Sequence, residues 1–125
     1  MGERQVDHVT MNVINDGAAR DFYASALGEL GLSESVDPRG RVEYGRDGRS
    51  DFGFYTHPRT FFDRAHVAFR AASREEVDRF YRAALAHGGS SLDAPSERPE
   101  FGLYSAYVTD PEGNGVEVSC PLGRT

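Results

Sequence analysis

The chain is written twice. His8-Val9 returns as His66-Val67, Phe22-Tyr23 as Phe80-Tyr81, Ala26-Leu27 as Ala84-Leu85 and Gly31 as Gly89, all at one offset of 58. A repeat in constant register constrains the fold more than local propensity does, because each copy must be one supersecondary unit. Each copy opens on an alternating segment: "VDHVTMNV" sets Val9, Met11 and Val13 on one face, and "RAHVAFRA" sets Val67 and Phe69 on the corresponding face. Both predict half-buried strands. A helix follows each. In the first copy Asp16 stands at the N-cap position, and Phe22, Tyr23, Ala26, Leu27 and Leu30 form an apolar stripe. In the second, Ser73 and Glu76 form a capping-box pattern, Val77, Phe80, Tyr81, Ala84 and Leu85 form the stripe, and Gly88-Gly89 ends it.

Short segments bounded by turn residues come next: "LSESV", "RVEYG" and "DFGFY" in the first copy, "SSLDA", "LYSAYVT" and "GVEVSC" in the second. The order is βαβββ, twice, an α+β class. We expect one domain over 1–125, with module one at about 1–60 and module two at about 61–125. Two sheets side by side, each with a helix on one face, leave their other faces curved around a cleft. In the last strand Val116, Val118 and Cys120 alternate with Gly115, Glu117 and Ser119. Glu117 therefore points away from the apolar layer, and His8 and His66 share that orientation.

Composition narrows the partners. A net charge of -6 over 125 residues argues against nucleic acid and anionic membrane surfaces. No apolar run approaches bilayer-spanning length, and the single cysteine, Cys120, has no internal partner. A cytoplasmic protein that binds small molecules is the expectation. All 14 basic residues are Arg, which excludes lysine Schiff-base chemistry.

Two imidazoles and a carboxylate on rigid strands can occupy one side of a divalent ion's coordination sphere and leave the other positions open. Alone, each of His8, His66 and Glu117 reads as an ordinary partly buried or solvated residue. Together, with the histidines at equivalent places of a repeat, they predict a metal site. His57 and His87 read as surface residues at a loop and a helix end.

On these residues the chain resembles the vicinal oxygen chelate superfamily, which includes glyoxalases, extradiol dioxygenases, fosfomycin-modifying thiol transferases, epimerases and bleomycin-sequestering proteins. The resemblance implies the glyoxalase/bleomycin resistance/dihydroxybiphenyl dioxygenase-like fold. It also implies a divalent metal held by His8, His66 and Glu117, with Fe(II) or Mn(II) favoured over Zn(II) or Ni(II). Aligning the turn glycines, Gly113 over Gly48, sets Glu117 over Phe52, so the fourth ligand of many members is expected to be absent, with Asp51 facing the opposite side. The ending Tyr107, Asp110, Pro111, Gly113 and Glu117 follows the spacing of the extradiol signature, which implies that Tyr107 hydrogen-bonds a substrate oxygen. The histidine of that signature has no counterpart; Arg98, Pro99 and Glu100 stand in its neighbourhood.

The resulting expectation is a metal-dependent enzyme, dioxygenase-like or glyoxalase-like (lyase or isomerase), acting on a small oxygenated substrate chelated to the ion. Tyr107 and Glu117 are its candidate catalytic residues. Thr10, Phe52, Phe54 and Tyr104 are candidates to line the substrate cleft, although aromatics in strands more often belong to the core. The rival expectation is a metal-free protein that sequesters an aromatic, often cationic, drug or antibiotic. In either case the resemblance implies a homodimer, with the ligands of a site drawn from one chain or from two.

Overall fold

The computed structural model describes residues 7–38, 40–56 and 65–123. His57 and the expected module boundary near residue 60 lie outside them. The first module comprises β1 (Val9–Val13), α1 (Asp16–Gly28), β2 (Ser33–Val36), β3 (Val42–Arg46) and β4 (Arg49–Thr56). The second comprises β5 (His66–Arg70), α2 (Arg74–Ala86), β6 (Ser90–Arg98), β7 (Leu103–Thr109) and β8 (Gly115–Pro121), with a short 3-10 turn over Pro99–Phe101. The architecture is α+β, two βαβββ modules that each form a four-stranded mixed sheet, ordered β1-β4-β3-β2 and β5-β8-β7-β6. In each sheet the first strand runs parallel to the last, and the other pairings are antiparallel.

The helices begin where polar side chains accept orphan N–H groups. Asn15 rather than Asp16 caps α1, accepting the Ala18 N–H at 3.1 Å. The reason is one of register: the side chain must reach the third residue onward, and Asp16 already has helical backbone. Ser73 caps α2 as expected, accepting the Glu76 N–H, while Glu76 reaches back to the Ala72 N–H. Strand β6 runs four residues past "SSLDA", through Pro95 to Arg98. Its edge position tolerates a proline, and the ladder there is irregular between Asp93 and Ser96.

One core unites the modules. Val13, Phe22, Tyr23, Leu27, Tyr44, Phe52 and Phe54 of the first module are buried in one cluster with Val77, Phe80, Val108, Val116 and Val118 of the second. Helix α1 packs against α2, and Phe52 meets Phe69 edge-on at 5.3 Å between ring centroids. At the helix surface Arg79 pairs with Glu29 at 3.2 Å and His87 with Asp21 at 3.1 Å. No helix among the described residues is long and apolar enough to cross a membrane.

The β7–β8 turn, Asp110-Pro111-Glu112-Gly113-Asn114, joins the two modules. Asp110 is 3% exposed. It accepts the N–H groups of Glu112 and Asn114 at 2.9 Å, the Asn114 side-chain amide at 2.9 Å and the Tyr23 hydroxyl of α1 at 2.7 Å. Burial first, then the neighbouring Asp110, pushes the Tyr23 phenol well above its ordinary range, so it stays a neutral donor. Glu112 accepts the N–H groups of Ile14 and Asn15, at 2.6 and 2.8 Å, at the entrance to α1. Asn114 accepts the Ala65 N–H at 2.8 Å, next to His66.

Removing the Asp110 carboxylate leaves several buried donors without a partner, so Asp110→Ala is expected to lower unfolding stability by about 2–4 kcal/mol in urea titrations. Tyr23→Phe, which deletes one donor and leaves the carboxylate its other bonds, is expected to cost about 1 kcal/mol.

Candidate functional site

The strand registers decide which residues reach the helix-free faces. In the second sheet His66 and Ala68 share that face with Glu117 and Tyr107, because Ala68 pairs with Glu117 and Glu117 with Tyr107. His66 Nε2 lies 3.4 Å from Glu117 Oε1. The imidazole is 59% exposed and the carboxylate 13%. Tyr107 stands beside Glu117 on β7, and the Arg98 guanidinium lies over its ring at 5.1 Å. Arg98 is held by Asp93 at 3.0 Å and by the Ser105 hydroxyl at 3.2 Å. It comes from the part of β6 that extends past the predicted segment "SSLDA", and the sequence signal for it is an arginine in the neighbourhood where the extradiol signature carries a histidine.

The first sheet repeats this row with different chemistry. Thr10 pairs with Gly53 and Gly53 with Glu43, the counterparts of Ala68, Glu117 and Tyr107. The position equivalent to Glu117 is thus Gly53, not Phe52; the alignment on turn glycines slips by one residue, and one residue reverses the face. Asp51 is the extra residue of a β-bulge opposite Tyr44 and Gly45, so simple alternation does not assign its face. A Cβ at Gly53 would stand 2.6 Å from the Val42 carbonyl oxygen, so the backbone leaves no room for a ligand side chain there. Arg41 spans the gap, donating to Thr10 Oγ1 at 3.0 Å and contacting the Glu43 carboxylate, with Asp37 3.7 Å from its Nε.

Three expected cleft residues are placed elsewhere. Phe52 and Phe54 are 1% and 0% exposed. They pair with Val9 and Met11 on the helix side, where their rings pack around Tyr23. Tyr104 pairs with Cys120, also on the helix side, and donates to Asp78 of α2 at 2.7 Å. Burial and that bond push its phenol up to about 12. Thr10 does lie on the helix-free face, with Arg41.

His8 is half exposed at the start of β1, 3.1 Å from Asp7 through Nδ1. Among the described residues no three His, Cys, Asp or Glu side chains of one chain come close enough to hold a metal ion. His66 and Glu117 are brought together; His8 is not brought to them. In donor chemistry the pair fits a divalent cation: neighbouring nitrogen and oxygen ligands at about 2 Å from an ion stand about 3 Å apart.

A family model described as glyoxalase/bleomycin resistance protein/dioxygenase superfamily matches residues 5–118. The chain belongs to that superfamily. A solved glyoxalase/bleomycin resistance protein from Albidiferax ferrireducens T118 is 31% identical, covering 94% of this chain and 99% of its own, with a TM-score of 0.81. A glyoxalase/bleomycin resistance protein/dioxygenase family enzyme from Burkholderia phytofirmans PsJN is 23% identical over 93% of this chain and 98% of its own, TM-score 0.72. A glyoxalase-related enzyme from Fulvimarina pelagi is 20% identical over 94% and 88%, TM-score 0.71. The last two show likeness of fold. No curated protein matches the sequence. Superfamily members bind small molecules and often divalent metals, and some are enzymes.

The closed backbone at Gly53 generates a test within this superfamily member. Gly53→Glu, which would place a carboxylate at the register equivalent of Glu117, is expected to lose about 2 kcal/mol or more of stability in thermal unfolding and to add no metal affinity.

Proposed function

We propose that this superfamily member is a metal-dependent enzyme whose site is completed between two copies of the chain, with His66 and Glu117 from one and His8 from the other. The observation that carries this is the His66–Glu117 pair, 3.4 Å apart on the helix-free face, together with the separate position of its repeat counterpart His8. Strands β1 and β5 are edge strands of their sheets. Their helix-free residues Thr10, Asn12, His66, Ala68 and Arg70 are exposed in the single chain, which suits closure by a second copy.

The ion would supply Lewis-acid polarisation of a chelating, oxygenated substrate. Glu117, 13% exposed beside Tyr107, is held rigidly by the β7 and β5 ladders on either side. Tyr107, the cross-strand neighbour of Glu117 on the same face, would hydrogen-bond a substrate oxygen. Arg98 covers the phenol ring and orients it. A guanidinium stays protonated throughout the working range and cannot pass a proton back and forth. Its presence, where an extradiol enzyme carries a histidine, supports lyase or isomerase chemistry over ring cleavage.

Elemental analysis of untagged protein loaded anaerobically with iron, manganese, zinc or nickel tests the reading. Stoichiometric metal in the wild type and its loss in His66→Ala and Glu117→Ala are expected; absence of metal in all of them would instead favour sequestration of an organic compound. Unfolding and refolding a one-to-one mixture of His8→Ala and Glu117→Ala is expected to recover roughly a quarter of the wild-type metal, since half of the random dimers regain one intact site. No recovery from the mixture would sink the composite arrangement.

A further inference from the structure

A cavity of about 410 Å³ opens between the two modules of one chain, where the start of β1 and β4 approaches β5. Val9, Leu32, Phe52, Val67 and Phe69 give it apolar walls. Arg46 and Arg70 border it, with Asp7 and Asp51. Its size lies in the range of small-molecule sites, and apolar walls with few polar groups are what such sites share.

The charges are unevenly committed. Asp7 contacts His8 at 3.1 Å, and Asp51 lies 4.0 Å from Arg49. Arg46 is anchored on the Leu30 carbonyl at 2.9 Å, which fixes its guanidinium at the rim with donors to spare. Arg70 is paired through its backbone in the β5–β8 ladder, but its guanidinium makes no hydrogen bond or ion pair to any described residue. It is exposed at the end of β5, on the face of His66 and Ala68. Elsewhere on the helix-free faces Arg98 is neutralised by Asp93 and Arg41 by Glu43 and Asp37. Arg70 therefore differs from both: it is an uncommitted guanidinium beside an apolar cavity.

We infer that this cavity binds a small organic anion with an apolar body, its carboxylate on Arg70 and its hydrocarbon or ring against Val67, Phe69 and Leu32. Ala68, whose cross-strand partner is Glu117, lines the same cavity. The cavity's lining holds none of His66, Tyr107 or Glu117, and Val67 and Phe69 face the helix side of β5, so the inference is independent of the site proposed above. Binding of the anion itself needs only the cavity and Arg70. Arg46 contributes a second donor at the rim.

Calorimetric titration with phenylacetate and with its neutral analogue phenylacetamide tests this, on metal-loaded protein whose metal content is measured separately. The wild type is expected to bind phenylacetate in preference to the amide. Arg70→Met, which keeps an apolar stem, is expected to weaken phenylacetate on the order of tenfold and to leave the amide unchanged. Amide-proton NMR shifts are expected at Val67, Phe69 and Leu32. Equal affinity of wild type and Arg70→Met for phenylacetate, shifts confined to other residues, or no saturable phenylacetate binding would each overturn the inference. Loss of metal with retained phenylacetate binding would defeat the metal-enzyme reading and leave this one standing.

Discussion

The buried carboxylate of Asp110 is the interaction on which the rest of the arrangement depends. It closes its own turn, receives the Tyr23 hydroxyl from the other module, and holds Asn114, which in turn accepts the N–H of the residue before His66. A buried carboxylate without donors would be costly; with four it becomes a rigid junction. Strands β5 and β8 leave that junction together, so His66 and Glu117 arrive side by side. The same turn, through Glu112, caps the entrance to α1. A motif that looks like simple turn chemistry thus sets both the module packing and the candidate metal ligands.

The two helix-free faces follow one plan with opposite chemistry. Where the second sheet carries Ala68, Glu117 and Tyr107 in a row, the first carries Thr10, Gly53 and Glu43. The glycine is required by the approach of the Val42 carbonyl, and Arg41 bridges the space above it. The two modules share the backbone rows and differ in the side chains set on them. One face keeps an imidazole and a carboxylate together; the other offers a lone imidazole and a guanidinium held by acids. That asymmetry explains why three ligand-type residues exist in the chain without forming one cluster within it.

Much of this was legible in the sequence because it depends on periodicity. The repeat offset, the two amphipathic helices and the alternation in β1, β5 and β8 correctly gave two βαβββ modules and the buried faces of Val116 and Val118. The aromatic residues were harder. Phe52 and Phe54 alternate with Asp51, Gly53 and Tyr55, and either set could face the helix; an alignment resting on one turn glycine chose the wrong parity. Tyr104 was misplaced for a related reason, since β7 is apolar on both faces and alternation there carries little information.

By itself, then, the sequence determined the modules, the orientation of Glu117 and the membership of the superfamily, because hydrophobic period and turn residues are local properties. Tertiary structure alone decided that His66 meets Glu117 while His8 stands apart, that Gly53 stands where Glu117 stands in the other sheet, that Arg98 covers Tyr107 and that the Arg70 guanidinium borders a cavity without an acidic partner among the described residues. These depend on register between strands distant in the chain and on how two modules pack, which no local pattern encodes.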